Sequence, residues 1–312
     1  MWPSPRREAD VVTMGETMAL FWAEGDADLE RASLYRRSCA GAESNVCVAL
    51  ARLGHRPRWI SRLGDDAFGR HIRVELEREG VLVDAAVDQD APTGVFFKER
   101  ARDGPRRVVY YRGGSAASRL APYDLGTDQF AGARVVHLTG ITPALSRSCA
   151  AAVDRAIELA RAAALLICVD PNVRARLWPS VDVCRRALLA LIERADIVLI
   201  GHEDAAILFP DYDTDAVLSA VRALGPRSVV LKRGAEGAVA ETDEGRASVP
   251  AYPVTAIDTV GAGDGFDAGF MAGLLERMPL PQCLALGARV GAAAVAHAGD
   301  WEGYPRRGEI GR

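Results

Sequence analysis

The stretch "DTVGAGDGFDAGF", residues 258–270, places an aspartate inside a glycine turn that leads into an apolar helix. Glycine loses more conformational entropy on folding than any other residue, so the turn indicates a backbone that must approach something closely. The spacing is not that of a dinucleotide-binding loop, because Phe266 stands where a third small residue belongs. It is not a Walker loop either, because no Gly-Lys-Ser/Thr follows.

Asp264 in this turn has two interpretations. At the start of a helix, the backbone of Gly261, Ala262 and Gly263 would present unpaired N–H groups that attract anions. Aspartate is also a favoured helix cap, which needs no further function. An anion hole beside a carboxylate suits phosphoryl transfer, in which the acid accepts a hydroxyl proton. The turn alone leaves both interpretations open.

Outward from this turn, short β-rich runs alternate with amphipathic helices. Strands are predicted at 11–14, 58–60, 134–138, 165–169, 197–200 and 228–231, and helices at 43–54, 67–79, 146–163, 183–194 and 280–297. Strands that alternate with helices of this length imply βαβ units and a mostly parallel sheet with helices on both faces. The predicted fold class is therefore α/β.

The segment "TGVFFKERARDGPRRVVYYRGG", residues 93–114, interrupts the alternation. Its two β-rich runs flank Asp103-Gly104 without a helix between them, which predicts a β-hairpin. Residues 16–39 are also poor in helix and are expected to pair with it. We therefore expect a small β-sheet lid inserted into a single domain that spans residues 1–312. Uncovered strand edges favour association, so a homo-oligomer formed through the lid is expected.

The bulk composition excludes several classes of protein. The chain has 312 residues, 49% of them hydrophobic, and a net charge of −4, which disfavours a nucleic-acid partner. No apolar run reaches the roughly 18 residues that span a bilayer, so no membrane partner is expected. The six cysteines are scattered without a Cys-x-x-Cys pair, and the amino end lacks a signal-peptide core. A cytoplasmic location is expected.

Two further segments matter beside the opening turn. They are "CAGAESNVCVALARLG" at 39–54 and "SRLGDDAFGRHI" at 61–72. Together with residues 258–270 they resemble the two signatures of the ribokinase-like carbohydrate kinases, the phosphofructokinase-B family. Within that family the sequence is most similar to 2-keto-3-deoxygluconate kinases, through "VVYYRGGSAAS" (108–118), "GITPALS" (140–146), "DPNVRARLW" (170–178) and "GDWEG" (299–303).

The resemblance implies a three-layer α/β/α fold with a β-lid, and ATP-dependent, Mg²⁺-assisted phosphorylation of a primary hydroxyl. It implies that Asp264 is the general base and that the backbone of residues 261–263 is the anion hole. The segment "LKRGAEGA" at 231–238 resembles the family's nucleotide loop. The implied ATP contacts are Lys232, Arg233, Gly234 and Gly237, with Gly261 and Gly263. Taken alone, the same segment indicates only a strand and a turn.

For the sugar, the resemblance implies contacts from Gly41, Asn45, Phe96, Tyr110, Arg112, Arg174 and Asp300. The residues themselves support part of this set. Tyr110 and Arg112 are two positions apart on one predicted strand and so face the same side. Arg174 follows the carboxyl end of a buried strand, where ligands bind in open α/β sheets. Arginines from lid and body could grip a carboxylate, which predicts an acidic sugar. Surface arginines paired with nearby acids are the alternative.

The sequence departs from the family pattern in three places. Phe96 stands where relatives of this type often have tyrosine, and Ala288 replaces an asparagine. The Asn-x-x-Glu segment that helps to hold Mg²⁺ appears as residues 201–204, which makes Glu203 and Asp204 the candidate metal residues, acting through water. Two other functions stay open: a kinase for a neutral sugar (fructose or ribose) or a nucleoside, and a non-catalytic binding protein on the same scaffold.

Overall fold

The computed structural model describes residues 8–24, 29–98 and 108–310. Its strands form two separate sheets. They are β1 (Val11–Met14), β2 (Met18–Ala23), β3 (Tyr35–Ala40), β4 (Pro57–Gly64), β5 (Leu82–Asp88), β6 (Val95–Lys98), β7 (Val108–Tyr111), β8 (Val135–Thr139), β9 (Leu166–Asp170), β10 (Ile197–Gly201), β11 (Ser228–Lys232), β12 (Ala238–Thr242) and β13 (Gly245–Val249).

Helices follow most of the strands of the larger sheet. They are α1 (Ala42–Arg52), α2 (Ala67–Arg78), α3 (Thr127–Phe130), α4 (Thr142–Leu145), α5 (Arg147–Ala162), α6 (Val181–Ile192), α7 (His202–Leu208), α8 (Thr214–Ala223), α9 (Ala262–Leu275) and α10 (Leu280–Val295). Every predicted helix is present within a few residues of its expected bounds. Among the residues that the structure describes, no helix is both long and apolar enough to span a bilayer.

The larger sheet has the strand order β13-β12-β11-β10-β9-β8-β1-β4-β5. Its strands are parallel from β11 to β5, and only β12 and β13 pair antiparallel. The predicted mainly parallel α/β sheet is therefore confirmed. The prediction did not include β5, β12 and β13. β5 and β13 are edge strands with exposed positions, so they lack the continuous apolar run that marks a buried parallel strand.

Alternation along the strands builds the three layers. Val12, Val136 and Ile167 pack into one core with helices α5, α6 and α8. Their neighbours Val11 and Val135 pack into a second core with α1, α9 and α10 on the opposite face. Because side chains alternate between the two faces of a strand, each strand contributes to both cores. The described helices thus cover both faces of the parallel sheet.

The smaller sheet has the order β3-β2-β6-β7. Its β6 and β7 pair antiparallel, with Val95 opposite Tyr111, as expected for the two arms of the hairpin. The predicted turn at Asp103-Gly104 lies outside the described residues. Strands β3 and β7 form the two edges of this lid. A single domain that carries the lid, and oligomerisation through the lid edges, stay predictions.

Three strands of the larger sheet end in polar residues that lie on one face. Thr139, Asp170 and Lys232 are the last residues of β8, β9 and β11. Each lies an even number of residues after a side chain that packs against α1, α9 and α10, which are Val135, Cys168 and Val230, so each faces the same side of its strand. At the carboxyl edge of the sheet, Thr139 donates to Glu43 on α1, whereas Asp170 and Lys232 line the cleft at the start of α9.

Candidate active site

A single cleft of about 1060 Å³ lies between the lid and the carboxyl edge of the larger sheet. It is lined by nearly all the residues that the sequence singled out: residues 261–264, Gly41, Asn45, Phe96, Tyr110, Arg112, Arg174, Asp300, Lys232, Gly234, Gly237, Glu203 and Asp204. Arg233 is the exception. Its side chain lies outside the cleft, where Nη1 is 3.6 Å from the Glu236 carboxylate.

The glycines of the opening motif have two different uses. Gly261 has the left-handed φ of 80°, and a Cβ there would lie 1.9 Å from the carbonyl oxygen of Asp300, so only glycine fits. Gly263 is exposed, and its nearest neighbour is the ammonium of Lys232. Further along α9, Gly269 and Gly273 allow close packing against α10. The motif therefore contains an open helix start and a helix-packing face.

Asp264 is not the helix cap. Gly261 occupies the cap position without a side-chain hydrogen bond, and α9 begins at Ala262. The aspartate that bonds to the backbone here is Asp258, whose Oδ1 accepts the N–H of Val260 at 3.2 Å in the turn before the helix. The N–H groups of the first turn of α9 have no acceptor inside the helix. Asp264 thus stands beside open N–H donors.

The carboxylate of Asp264 is held from the other side of the cleft. Asn45 on α1 donates its Nδ2 to Asp264 Oδ2 at 2.8 Å. Burial raises the pKa of Asp264 to about 7; Asp170 adds to the rise, whereas Asn45, Arg174 and Lys232 oppose it. A carboxylate with a pKa near neutrality is well matched to accept a proton at physiological pH.

Asn45→Ala tests this contact. Loss of the hydrogen bond removes an interaction that favours the ionised carboxylate, so the pKa of Asp264 rises and the acidic limb of kcat/KM moves to higher pH. A hydrogen bond to a charged group is worth about 2 kcal/mol, so kcat/KM at pH 6.5 is expected to fall about tenfold or more. The loss should shrink at pH 9. Steady-state kinetics from pH 5.5 to 9.5 measure it.

Ser44→Ala is the matched control for that experiment. Ser44 is the buried neighbour of Asn45 on α1 and donates to the carbonyl of Gly41 at 3.0 Å, without touching Asp264. Its pH profile should keep the wild-type midpoint. An Asn45→Ala profile with an unmoved acidic limb would contradict the assignment.

Lys232 lies in a buried ionic cluster at the base of the cleft. Its Nζ is 2.9 Å from Asp170 Oδ2 and 2.8 Å from Asp267 Oδ1, and a Cβ on Gly263 would be 3.7 Å from the same Nζ. The ammonium therefore borders the open start of α9. The sequence singled out Lys232 but not Asp267. The sequence did contain one indication of Asp267: it lies about one helical turn after Asp264 and therefore shares the same face of the helix.

At the sugar end of the cleft, the cations have different partners. Arg112 Nη2 lies 2.5 Å from Glu16 Oε2, and Lys98 pairs with Asp300. Arg174 is exposed and donates to the carbonyl of Val173 at 3.1 Å; among the described residues it forms no ion pair with an acidic side chain. The two arginines that were predicted to bind a carboxylate therefore differ: Arg112 already forms an ion pair, with Glu16, whereas Arg174 does not.

The lid wall of the cleft is aromatic. Phe96 and Tyr110 stack with ring centroids 5.4 Å apart, and the guanidinium of Arg112 lies 5.8 Å from the Tyr110 ring. Lys98 is two residues after Phe96 on β6, so the alternation of a strand would have placed it on the same face. Neither Lys98 nor Glu16 was predicted from the sequence as a residue of the site. No comparable spacing marks Glu16.

Asp204 and Glu203 are the carboxylates of the cleft that could hold a metal ion. Burial, with the nearby charge of Asp170, raises the pKa of Asp204 to about 7, which indicates a carboxylate short of positive charge. Its Oδ1 accepts the N–H of Val173 at 3.1 Å. No cluster of three or more metal-ligating side chains occurs in residues 8–24, 29–98 and 108–310. This set fits Mg²⁺, which commonly binds through one or two carboxylates, with phosphates and waters as its other ligands.

The far end of the cleft is suited to a flat apolar group. Gly234 and Gly237 have φ values of 54° and 85°, and a Cβ on Gly237 would lie 2.0 Å from the carbonyl oxygen of Val249. The turn therefore depends on glycine and keeps its backbone close to the cleft. Apolar residues line the adjacent wall: Tyr252, Val254, Ala288, Ala292 and Val295.

Comparison with known proteins identifies relatives of the whole chain. A 2-dehydro-3-deoxygluconokinase of Bacillus subtilis (strain 168) is 35% identical over 304 residues, covering 96% of this chain and 94% of that protein. Fructokinase-1 of Oryza sativa subsp. japonica is 32% identical, covering 86% and 82%. The crystal structure of a putative ribokinase II from E. coli, in complex with ATP and Mg²⁺, matches with a TM-score of 0.89 at 25% identity, covering 97% of both chains.

These matches confirm the predicted ribokinase-like fold and the prediction of a carbohydrate kinase. Residues 8–307 match the family model described as pfkB family carbohydrate kinase, which is nearly the entire chain. The family model and the full-length relatives lead to one conclusion. This chain belongs to the pfkB family of carbohydrate kinases.

Proposed function

We propose that this protein transfers the γ-phosphoryl group of ATP to a primary hydroxyl of an acidic keto-sugar, 2-keto-3-deoxygluconate. One observation carries the proposal. The carboxylate of Asp264, with a pKa near 7, stands beside the first-turn N–H groups of α9, in the same cleft as the exposed guanidinium of Arg174, which forms no ion pair with an acidic side chain of the described residues. The first pair of features supports phosphoryl transfer, and the arginine supports an anionic substrate.

The transfer follows from the position of Asp264. The sugar hydroxyl gives its proton to the Asp264 carboxylate while its oxygen forms a bond to the γ-phosphorus. The bond from the γ-phosphorus to the β,γ-bridging oxygen breaks, and ADP leaves with that electron pair. The backbone N–H groups of residues 261–263 face the charge on the phosphoryl oxygens, which stabilises the transition state.

The nucleotide occupies the apolar end of the cleft in this proposal. The adenine packs between Tyr252, Val254 and the small residues of α10, and the loop of Gly234 and Gly237 borders it. The phosphates then extend toward Gly263, where Lys232 supplies a cation. A compact ammonium near phosphate oxygens is a common means of neutralising their charge.

Asp204, assisted by Glu203, is the residue that would hold Mg²⁺, directly or through water. The ion supplies positive charge that neutralises the β- and γ-phosphates. Asp204 is one methylene shorter than glutamate, so a water between carboxylate and ion suits its reach.

The identity of the sugar rests on charge. Arg174 follows the carboxyl end of β9, Arg112 follows lid strand β7, and both line the cleft. A carboxylate placed between them would form charge-assisted hydrogen bonds with both, whereas a neutral sugar would leave Arg174 unpaired. The name of the Bacillus relative agrees with an acidic sugar, whereas the name of the rice relative supports fructose as the second candidate.

Arg174→Ala tests the substrate class. An assay of ADP release should rank 2-keto-3-deoxygluconate above fructose, ribose and nucleosides for the wild type. Loss of a charge-assisted contact is worth about 2 kcal/mol, so the variant is expected to raise KM for the acidic sugar about 30-fold. Arg176→Ala is the control, because Arg176 is exposed two residues further along and does not line the cleft. A wild type that prefers fructose would favour the second candidate.

A further inference from the structure

Within the described residues, the chain passes between body and lid at four places, and each of them lies at or against Glu16. The residue itself precedes lid strand β2, and Gly41 follows β3. Gly94 precedes β6, and the segment from Arg112 to Ser115 follows β7. Glu16 is only 2% exposed. One buried acidic residue therefore lies next to all four of the described segments that connect the two sheets.

Two of these crossings are packed directly against Glu16. A Cβ on Gly41 would lie 2.1 Å from the carbonyl oxygen of Glu16, and a Cβ on Gly94 would lie 2.7 Å from its Oε1. Neither position has room for a larger residue unless Glu16 moves. The backbone before β6 and after β3 is thus held against the backbone and side chain of the same residue.

The remaining crossing is held by the carboxylate. Arg112 Nη2 lies 2.5 Å from Glu16 Oε2, and the hydroxyl of Ser115 donates to Oε1. A buried carboxylate without partners is strongly unfavourable, so these two contacts are what make the ionised form acceptable at this depth. Burial raises the pKa of Glu16, and Arg112 and Ser115 oppose the rise. The ion pair joins the first residue after the lid to the body.

We propose that Glu16 is the positioning residue of the lid: it fixes the four crossings in register and holds Arg112 at the sugar end of the cleft. The residue does not touch the reacting atoms. It acts through Arg112 and through the lid strands. The part that concerns Arg112 and the sugar rests on the proposed function, whereas the part that concerns the lid does not.

Glu43 provides a matched contrast. It is also a buried glutamate, 1% exposed, but its Oε1 accepts the hydroxyls of Thr139 and Thr142 in the body. Glu43 accepts no hydrogen bond from Arg112 or Ser115, so removing its charge leaves the hydrogen bonds of the lid crossing in place and removes only a longer-range attraction to Arg112. Glu16→Gln and Glu43→Gln therefore separate a role in the lid from the loss of any buried carboxylate.

Hydrogen–deuterium exchange of the sugar-free protein tests the lid. In Glu16→Gln, the amides of β2, β3, β6 and β7 are expected to exchange at least fivefold faster than in the wild type, with the larger sheet unchanged. Ser115→Ala, which removes one hydroxyl contact, should give a smaller increase in the same strands. Glu43→Gln should leave lid exchange at the wild-type rate. Unchanged lid exchange in Glu16→Gln, or an equal increase throughout the chain, overturns the proposal.

A double-mutant cycle tests the link to the sugar. Glu16→Gln and Arg112→Met are each expected to raise KM for 2-keto-3-deoxygluconate about tenfold, with kcat changed less than threefold. Because the effect of Glu16 on sugar affinity is exerted through Arg112, the double variant should show no more than the Arg112→Met effect on KM. Multiplied effects would contradict that link. A wild type inactive on every sugar would instead contradict the proposed function and leave the exchange result standing.

Discussion

Replacing Asp264 by asparagine is expected to lower kcat about 1000-fold while leaving ATP binding near the wild-type affinity. Removal of a general base typically costs two to four orders of magnitude. Asparagine keeps the shape and accepts the 2.8 Å hydrogen bond from Asn45, but it takes no proton at neutral pH. Turnover from ADP release and affinity from calorimetry measure the two parts of this prediction.

The same substitution is expected to stabilise the fold. Burial raises the pKa of Asp264 from 3.8 in the unfolded chain to about 7, so the folded state holds a proton that the unfolded state releases between those values. Stability contributed by this group therefore falls as pH rises from about 4 to about 7 and stays low above it. A pKa difference of one between the folded and unfolded chains corresponds to about 1.4 kcal/mol, so Asp264→Asn should gain about 1–3 kcal/mol at pH 8. At pH 4 the gain should disappear.

Asp258→Asn is the control for both effects. Asp258 is buried in the preceding turn, where its Oδ1 accepts the N–H of Val260, and it does not line the cleft. An asparagine oxygen can accept the same bond, so turnover should stay within threefold of the wild type. An Asp264→Asn protein that is inactive but less stable at pH 8 would mean that the residue serves packing.

Lys232→Met is the second large expected effect, a fall in kcat of about 100-fold. The ammonium borders Gly263 at the open start of α9, where donors to developing negative charge typically contribute two to three orders of magnitude. The variant should also lose the preference for a nucleotide with a γ-phosphate. Its affinity for the analogue AMP-PNP should fall to that for ADP, measured by calorimetry without sugar.

The alternative role for Lys232 is to neutralise Asp170 and Asp267, which lie 2.9 and 2.8 Å from its Nζ. Lys232→Met alone leaves both carboxylates without their cation and lowers stability. Lys232→Met/Asp267→Asn restores part of the charge balance, so its melting temperature should recover. If Lys232 serves the phosphate, kcat stays about 100-fold low in the double variant. Recovery of kcat together with the melting temperature would assign Lys232 to charge balance.

The fold could be predicted from the sequence where burial is complete. β9 and β10 lie in the interior of the sheet, and their continuous apolar runs are typical of a strand that is covered on both faces. β13 is an exposed edge strand whose Gly, Arg and Ser carry no strand pattern. Its position depends on pairing with β12, a tertiary contact that a local pattern does not contain.

In the candidate site, too, residues set by local backbone geometry could be predicted, whereas residues set by tertiary contacts could not. Gly261 and Asp264 were predictable because a turn with that φ and that open helix start restricts the residues that can form it. The partners Glu16 and Asp267 were not. Glu16 meets Arg112 from 96 positions away in the chain, and Asp267 meets Lys232 through packing of α9 on the sheet. Spacing within one element shows at most that Asp267 shares a helix face with Asp264; it cannot show which residue of another element either acid meets.

The most direct test of the central claim follows product formation by ³¹P NMR at pH 8, with ATP and 2-keto-3-deoxygluconate at saturating concentrations. Wild type should form a sugar phosphate monoester in step with ADP, and Asp264→Asn should form it at about one-thousandth of that rate. Formation by the variant within tenfold of the wild type, or ADP without a sugar phosphate in the wild type, would contradict the account.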